Sequence, residues 1–185
     1  MARATHFETP LPDSSIGVLC ASADVQADRI ETLVCGYSNS QTWVVGFQIF
    51  YGSPTSESLW LEVEEYLKTT WQHPSGQDLR ITRSFIDSGY ETGAVYNFCR
   101  KLESLGVRAI KGVGGSNRAE IGRPTKNNTS RCNVFPLGVN TLKTQILARL
   151  KIDDPKDSGF INFPDFLDEE FFLQLTSERL IKRYV

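Results

Sequence analysis

Histidine, methionine and cysteine are scarce in this sequence of 185 residues, which contains two histidines, one methionine and four cysteines. The cysteines, at positions 20, 35, 99 and 132, form no Cys-x-x-Cys pair. Structural zinc sites are usually built from such pairs or from cysteines together with histidines. The composition therefore argues against a zinc site and is typical of a cytoplasmic protein with reduced thiols.

Long apolar runs are also missing. No run approaches the roughly 18 residues of a membrane-spanning helix, and the N-terminus, MARATHFETP, has no signal-peptide core. We therefore expect no membrane contact and a single folded domain at residues 16–185. Residues 1–15 carry Pro10 and Pro12 and little periodicity, which predicts a linker or leader.

Net charge is small, at −2, but it is unevenly distributed. Between Arg108 and Arg131 six bases stand against one acid, a local charge of +5, while the remaining 14 bases and 21 acids carry −7. The basic stretch is rich in glycine and polar residues and lacks periodicity, which predicts a long mobile loop from Lys111 to Arg131. Such a charge asymmetry needs a partner of opposite sign to explain it.

Two apolar strands each end on a carboxylate. Strand 17–23 runs into Asp24, and strand 79–86 runs into Asp87 in the motif FIDSGY. Asp28 and Glu31, which follow Asp24, are expected to be solvated. Taken singly, Asp24 could cap a hairpin and Asp87 could belong to a strand-to-helix turn, since aspartate favours both positions.

The order of the elements predicts an α/β fold. Alternation of apolar residues, helical periodicity and turn residues together place the elements along the chain. Strands are predicted at 17–23, 29–37, 41–51, 79–86, 107–110, 132–137 and 161–163, and helices at 56–67, 91–105, 139–150 and 168–180.

Short turns join the first three strands into an antiparallel meander, and a helix then crosses to the fourth. A right-handed crossover makes the fourth strand parallel to the first. Asp24 and Asp87 then lie side by side at one edge of a mixed sheet, the layout of ribonuclease H. Two carboxylates that converge without a basic neighbour are typical of a site for Mg²⁺ or Mn²⁺.

Several motifs, in this order, resemble those of the nuclease domain of lambda-like phage terminase large subunits: ASADVQADRIE, VVGFQIFYGSP, FIDSGYETGAVYNFCR, RAIKGVGG, PLGVNTLKTQIL and GFINFPDFLDEEFFLQLTSERL. The resemblance covers nearly all of the chain from Ile16. It implies a ribonuclease H-like mixed sheet with flanking helices and a metal-dependent endonuclease that cuts concatemeric viral DNA during packaging. In the full-length subunit it also implies the small terminase subunit and the procapsid portal as partners, in the host-cell cytoplasm.

The resemblance makes Asp24 the first metal-binding acid and Asp87 the second, in a site that holds two ions. The sequence contains no G-x-x-x-x-G-K-[ST] motif, so the packaging ATPase of the full subunit is expected to be absent. The family's Asn-Glu-Ala-Leu-Asp segment, with a third metal ligand, is expected beyond Val185. Asp165 is the remaining candidate for that ligand within the chain.

Contact with double-stranded DNA is expected from the basic residues, through the phosphate backbone. The candidates are Lys111, Arg118, Arg123, Lys126, Arg131 and, on a predicted helix, Lys143. Two alternatives stay open at this point. One is another nuclease of the same fold, resembling a transposase or resolvase; the other is an inactive DNA-binding or assembly module.

Overall fold

A computed structural model describes residues 4–177 of the chain. The strands in this range are β1 (Ala4–Thr5), β2 (Val18–Val25), β3 (Arg29–Tyr37), β4 (Thr42–Tyr51), β5 (Thr70–Gln72), β6 (Asp78–Asp87), β7 (Val107–Val113), β8 (Thr125–Lys126), β9 (Asn133–Gly138) and β10 (Ile161–Pro164). The helices are α1 (Glu57–Leu67), α2 (Thr92–Lys101), α3 (Val139–Arg149) and α4 (Glu169–Thr176), with a 3-10 turn at Glu103–Leu105.

These strands form one mixed sheet, in which nine follow the order β1-β10-β4-β3-β2-β6-β7-β9-β8 and β5 pairs with the start of β6. β2, β3 and β4 form the antiparallel meander. β2, β6, β7 and β9 are mutually parallel neighbours. The predicted mixed sheet, with three antiparallel strands followed by parallel strands, is confirmed.

One face of the sheet carries the main core beneath α1 and α2. Alternate residues of β2, namely Ala21, Ala23 and Val25, are buried there, because side chains of a strand point to its two faces in turn. The largest side chains of α1 and α2 pack against each other at the same core, with Trp60 and Phe98 rings 4.6 Å apart.

The opposite face is covered only in part, by α3 and α4. Leu33 and Phe47 contact a second apolar cluster that includes Phe163, Phe171 and Phe172. Asp168 caps α4 by accepting a hydrogen bond from the Phe171 amide at 2.9 Å. The predicted end of this helix, near Leu180, lies outside the described residues.

The N-terminal segment differs from the predicted linker. Leu11 is fully buried in the main core, and β1 pairs with β10 through Ala4 and Thr5. Residues 4–15 thus pack against the domain; the prediction rested on the prolines and on missing periodicity, and one buried leucine produces no periodic signal. Within residues 4–177, no helix has both the length and the apolar character needed to cross a membrane.

Candidate metal and DNA site

Asp24 and Asp87 lie beside each other on neighbouring parallel strands. β2 and β6 are in register up to Ala23 and Ile86, so the next residue of each strand is the aspartate. Ala23 and Ile86 are both buried in the main core, and the aspartates therefore face the other side of the sheet. Adjacent strands lie about 4.8 Å apart, which brings the two side chains within reach of one shared ion.

The acid pair lies on the α3/α4 face, at its edge. Ser22, two residues before Asp24, is the register partner of Leu33, which belongs to the second apolar cluster. The pair itself extends beyond that cluster, and Asp24 is exposed while Asp87 is half-buried. A ligand can thus approach the carboxylates from the sheet edge.

Neutral donors hold the two carboxylates. The Gln26 side-chain amide donates to Asp24 Oδ2 at 3.0 Å, and the Gly89 amide donates to Asp87 Oδ1 at 3.2 Å. Ser88 fixes the turn after Asp87, since its amide and its hydroxyl both donate to the carbonyl of Ile110. Among residues 4–177, neither aspartate forms an ion pair with a basic side chain.

A third carboxylate lies on the other side of Asp24. Glu31 on β3 is the register partner of Asp24 and is only 13% exposed, so the expectation that it is solvated is wrong; Asp28 is 71% exposed, as expected. Arg29 Nε donates to Glu31 Oε1 at 2.7 Å and Nη1 donates to Asp28 at 3.0 Å. These hydrogen bonds, that to Glu31 foremost, raise the pKa of the Arg29 guanidinium.

A polar cavity of about 230 Å³ opens next to this ion pair, between β3, β4 and α4. Its polar lining comes from Arg29, Glu31, Tyr51, Asp168, Glu170 and Gln174. Acids outnumber bases around it, so this part of the sheet edge repels a phosphate backbone unless cations are bound.

The donor set of the acid pair fits a hard divalent cation. Mg²⁺ and Mn²⁺ prefer carboxylate oxygens and retain water ligands, and the pair supplies two carboxylates with free access and no competing lysine or arginine. No group of three or more candidate ligands that could hold a metal occurs among residues 4–177. Within the described part of the chain, Asp24 and Asp87 are thus candidate ligands without a third candidate beside them.

Asp165 does not join the pair, which corrects its prediction as a third ligand. It follows β10, its amide donates to the carbonyl of Thr5, and its carboxylate meets His6 Nδ1 at 3.0 Å. β4 and β3 separate β10 from β2, about 14 Å at ordinary strand spacing. The sequence pattern of acids near a helix start gave no information on which strand of the sheet would precede them.

The structure divides the predicted DNA-binding residues into two groups. Asp87 is level with Ile110 on β7 and, through it, with Phe135 on β9. The edge group, level with the acid pair or beyond it, consists of Lys111, Arg118 and Arg123. The far group, beside the start of β9, consists of Lys126 and Arg131.

Register explains the division. Lys111 pairs with Pro136, and the Gly122 amide, next to Arg123, donates to the Pro136 carbonyl at 2.8 Å. Lys126 instead pairs with Asn133. Asn133 precedes Phe135 by two residues, about 7 Å along β9, and Arg131 lies between β8 and β9, so the far group lies toward the opposite edge of the sheet.

The basic stretch is not the long mobile loop that was predicted. β7 continues to Val113, β8 forms at Thr125–Lys126, and Ile121 bridges to Leu137. The Gly138 amide donates to the Glu120 carbonyl at 3.1 Å, and Thr141 Oγ1 donates to the Arg118 carbonyl at 2.8 Å. Segment 118–122, which contains Arg118 and ends next to Arg123, is thus tied to β9 and α3.

Lys143 lies on α3, exposed, on the same face of the sheet as the acid pair. It lines a mostly apolar cavity of about 260 Å³ together with Ile146, Leu147, Gln174 and Leu175.

Sequence reasoning missed the roles of Gln26, Arg29 and Glu31 around the acid pair. The DVQ motif was a signal for Gln26, whereas the Arg29–Glu31 contact follows only from strand register.

Comparisons with known proteins identify the family of the chain. The whole sequence, residues 1–185, matches the family described as terminase large subunit gpA, endonuclease domain. The chain is 27% identical over 187 residues to the terminase large subunit of Enterobacteria phage P21. That alignment covers 98% of this chain but only 29% of the phage protein.

The fold is shared with solved structures of the human cytomegalovirus terminase nuclease domain. One has a TM-score of 0.52 and covers 100% of this chain and 84% of its own; another, Mn soaked and inhibitor bound, has a TM-score of 0.51 and covers 93% and 78%. Both are 14% identical to this chain. Because the family match spans the entire sequence, the chain belongs to the endonuclease-domain family of gpA-type phage terminase large subunits.

Proposed function

We propose that this domain is a metal-dependent DNA endonuclease that cuts concatemeric viral DNA into genome lengths during packaging. The observation that carries the proposal is the pair Asp24 and Asp87, adjacent on parallel strands, open at the sheet edge and without a basic partner among residues 4–177. The family match supports a terminase nuclease in preference to a transposase- or resolvase-like nuclease of the same fold.

Asp24 and Asp87 would hold the metal, each as a carboxylate ligand. Two divalent cations, when bound, supply an activated water and charge stabilisation for in-line phosphodiester hydrolysis. Gln26 orients Asp24 through its hydrogen bond to Oδ2, and the Gly89 amide does the same for Asp87. A cytomegalovirus terminase nuclease domain of the same fold was studied Mn soaked, which supports a divalent cation, Mn²⁺ or Mg²⁺, as the ion here.

The edge group would bind phosphates on the β7 and β9 side of the scissile bond. Its residues lie level with the acid pair or just beyond it, on β7, the strand next to β6, and on the segment beside β9. Segment 118–122 forms hydrogen bonds with β9 and α3. Lys143 would add a phosphate contact from α3. Contacts of this kind position duplex DNA without reading its bases.

The chain spans about 29% of the length of the phage P21 relative, so the whole subunit's activities are part of the proposal. In a full-length subunit we expect this domain to act beside a packaging ATPase, the small terminase subunit and the procapsid portal. We expect the reaction to take place in the host-cell cytoplasm.

Plasmid nicking tests the proposal directly. The parent chain should convert supercoiled plasmid to nicked and linear forms only with Mg²⁺ or Mn²⁺. Asp24→Asn and Asp87→Asn should each lower the rate by at least about 100-fold, whereas the remote surface variant Asp154→Asn should cut normally. Cutting without metal, or undiminished cutting by both variants, would refute it. A chain that binds DNA but never cuts would support an inactive module.

A further inference from the structure

Two tyrosines are unusually exposed on either side of the acid pair. Tyr51, the last residue of β4, is 74% exposed, and Tyr90, three residues after Asp87, is 44% exposed. Large aromatic side chains usually bury most of their surface. Both residues thus lie exposed at the sheet edge where the carboxylates open to solvent.

Their positions bracket the acid pair. Tyr51 is the register partner of Arg29 on β3, and β3 pairs with β2, so Tyr51 lies about two strand spacings, or 10 Å, to one side of β2. Tyr90 follows β6, and the turn that carries it is bonded to Ile110 of β7, on the other side. At about 3.4 Å of rise per nucleotide, 10 Å corresponds to about three nucleotides.

The backbone on each side is held firmly. The Gly52 amide donates to the Asp28 carbonyl at 2.8 Å, next to Tyr51. Ser88 is fully buried, and Thr92 Oγ1 donates to its carbonyl at 2.8 Å. Glu91, directly after Tyr90, has a left-handed φ of 43°, a strained conformation that persists only where surrounding contacts impose it. Neither ring is on a loose loop.

We propose that Tyr51 and Tyr90 stack on unpaired bases flanking the scissile phosphate, so that the site takes DNA whose strands are locally separated. This inference rests on the proposed endonuclease function. A phenol ring carries no positive charge to attract phosphate, and its apolar face gains most by stacking on a base. In an intact duplex the base faces are covered by their neighbours. A single strand also brings fewer phosphates to the acid-rich cavity beside Arg29.

Binding of oligonucleotides that contain 2-aminopurine tests the proposal. The probes are a 30-base-pair duplex and the same duplex with six unpaired positions that carry the fluorophore. The Asp24→Asn chain is used without metal, so that no cutting occurs. We expect it to prefer the unpaired probe and to quench its fluorescence.

Adding Tyr51→Ala or Tyr90→Ala should weaken binding to the unpaired probe by about 5- to 20-fold, in the lower part of the range for a base stacked on an aromatic ring. Binding to the intact duplex should change by less than about twofold. Tyr51→Phe and Tyr90→Phe keep the ring and should bind like the Asp24→Asn chain with both tyrosines intact. Leu105→Ala, an exposed apolar residue (51%) at the opposite sheet edge, is the matched control and should also bind like the parent.

Equal losses of affinity for both probes, or no loss for either, would overturn the proposal. It would also be overturned if the Asp24→Asn chain with both tyrosines intact bound neither probe. Equal losses in the Phe and Ala variants would also overturn it, because the hydroxyl rather than the ring would then make the contact. Plasmid nicking separates this result from the proposed function. If the Asp24→Asn chain cuts like the parent, the endonuclease assignment of the acid pair fails, even where stacking is observed.

Discussion

Replacing Asp24 with asparagine should raise the stability of the metal-free domain and abolish its stabilisation by metal. Cβ atoms of neighbouring residues on adjacent strands lie about 5 Å apart. At that distance two unit charges repel by about 0.8 kcal/mol in water. Asparagine keeps the oxygen that accepts the hydrogen bond from Gln26. The variant should therefore gain about 0.5–1 kcal/mol, or about 1–4 °C in Tm for a domain of this size.

Manganese should reverse the order of the two proteins. A ligand present at 100 times its Kd stabilises the folded state by about 2.7 kcal/mol, so the parent should gain about 5–11 °C in Tm. The variant, with one carboxylate left, should gain far less at the same concentration. Thermal melts at low ionic strength, first in EDTA and then across a Mn²⁺ titration, measure both effects.

Asp154→Asn is the control, because its carboxylate only accepts a hydrogen bond from the Lys156 amide in a surface turn. It should respond to Mn²⁺ like the parent. A variant at position 24 that melts below the parent in EDTA would show that repulsion is not the dominant effect. Equal gains with Mn²⁺ would mean that the metal binds elsewhere.

Two further predictions concern the basic groups and the α1–α2 ion pairs. Replacing two edge-group arginines with alanine should flatten the log–log salt dependence of duplex binding by up to about two units, while alanine at both far-group positions should change it by less than half a unit; equal effects would contradict the division. Hydrogen bonds from Lys68, the larger effect, and from Lys101 hold the pKa of Glu64 below its usual value. The contribution of Glu64 to the stability of the fold is therefore present above about pH 4.3 and is lost as the pH falls through the lowered pKa. In urea melts Glu64→Gln should cost about 0.5–1 kcal/mol at pH 7, because solvent around the exposed lysines screens the ion pairs. The same substitution should cost nothing near pH 3, and exposed Glu62→Gln should cost nothing at either pH.

The central sheet and the acid pair could be predicted because both depend on local patterns. The meander follows from alternating residues and short turns, and one helical crossover suffices to bring the ends of β2 and β6 together. Asp24 and Asp87 then become neighbours whatever the rest of the chain does. The prediction needed only the correct direction of two strands.

The basic stretch could not be predicted in the same way. Its contacts with β9 are made by backbone groups, such as the Gly122 amide and the Pro136 carbonyl, and every sequence offers these groups. The close approach is permitted by Gly138, where an added Cβ would lie 2.5 Å from the Ala119 carbonyl oxygen. Glycine in a polar segment suggests a loop, but it does not say which strand the segment meets.

The Arg29–Glu31 ion pair gives the metal site an electrostatic setting that the sequence did not reveal. Glu31 is the register partner of Asp24, yet its carboxylate is engaged by Arg29 at 2.7 Å. We therefore expect Glu31 to act on a bound cation through its charge alone. A unit charge attracts a divalent ion through about 8 Å of water by about 1 kcal/mol. That energy corresponds to about fivefold in the affinity for the metal.

Glu31→Gln should accordingly weaken Mn²⁺ binding by about three- to fivefold at low salt, and Arg29→Gln should strengthen it by a similar factor. In 1 M salt, where the screening length is about 3 Å, both effects should nearly vanish. Titration calorimetry at the two salt concentrations measures them, with Asp87→Asn as the reference for loss of a direct ligand. A loss in Glu31→Gln that equals that reference and persists in 1 M salt would make Glu31 a ligand, because direct coordination is not screened by the surrounding ions.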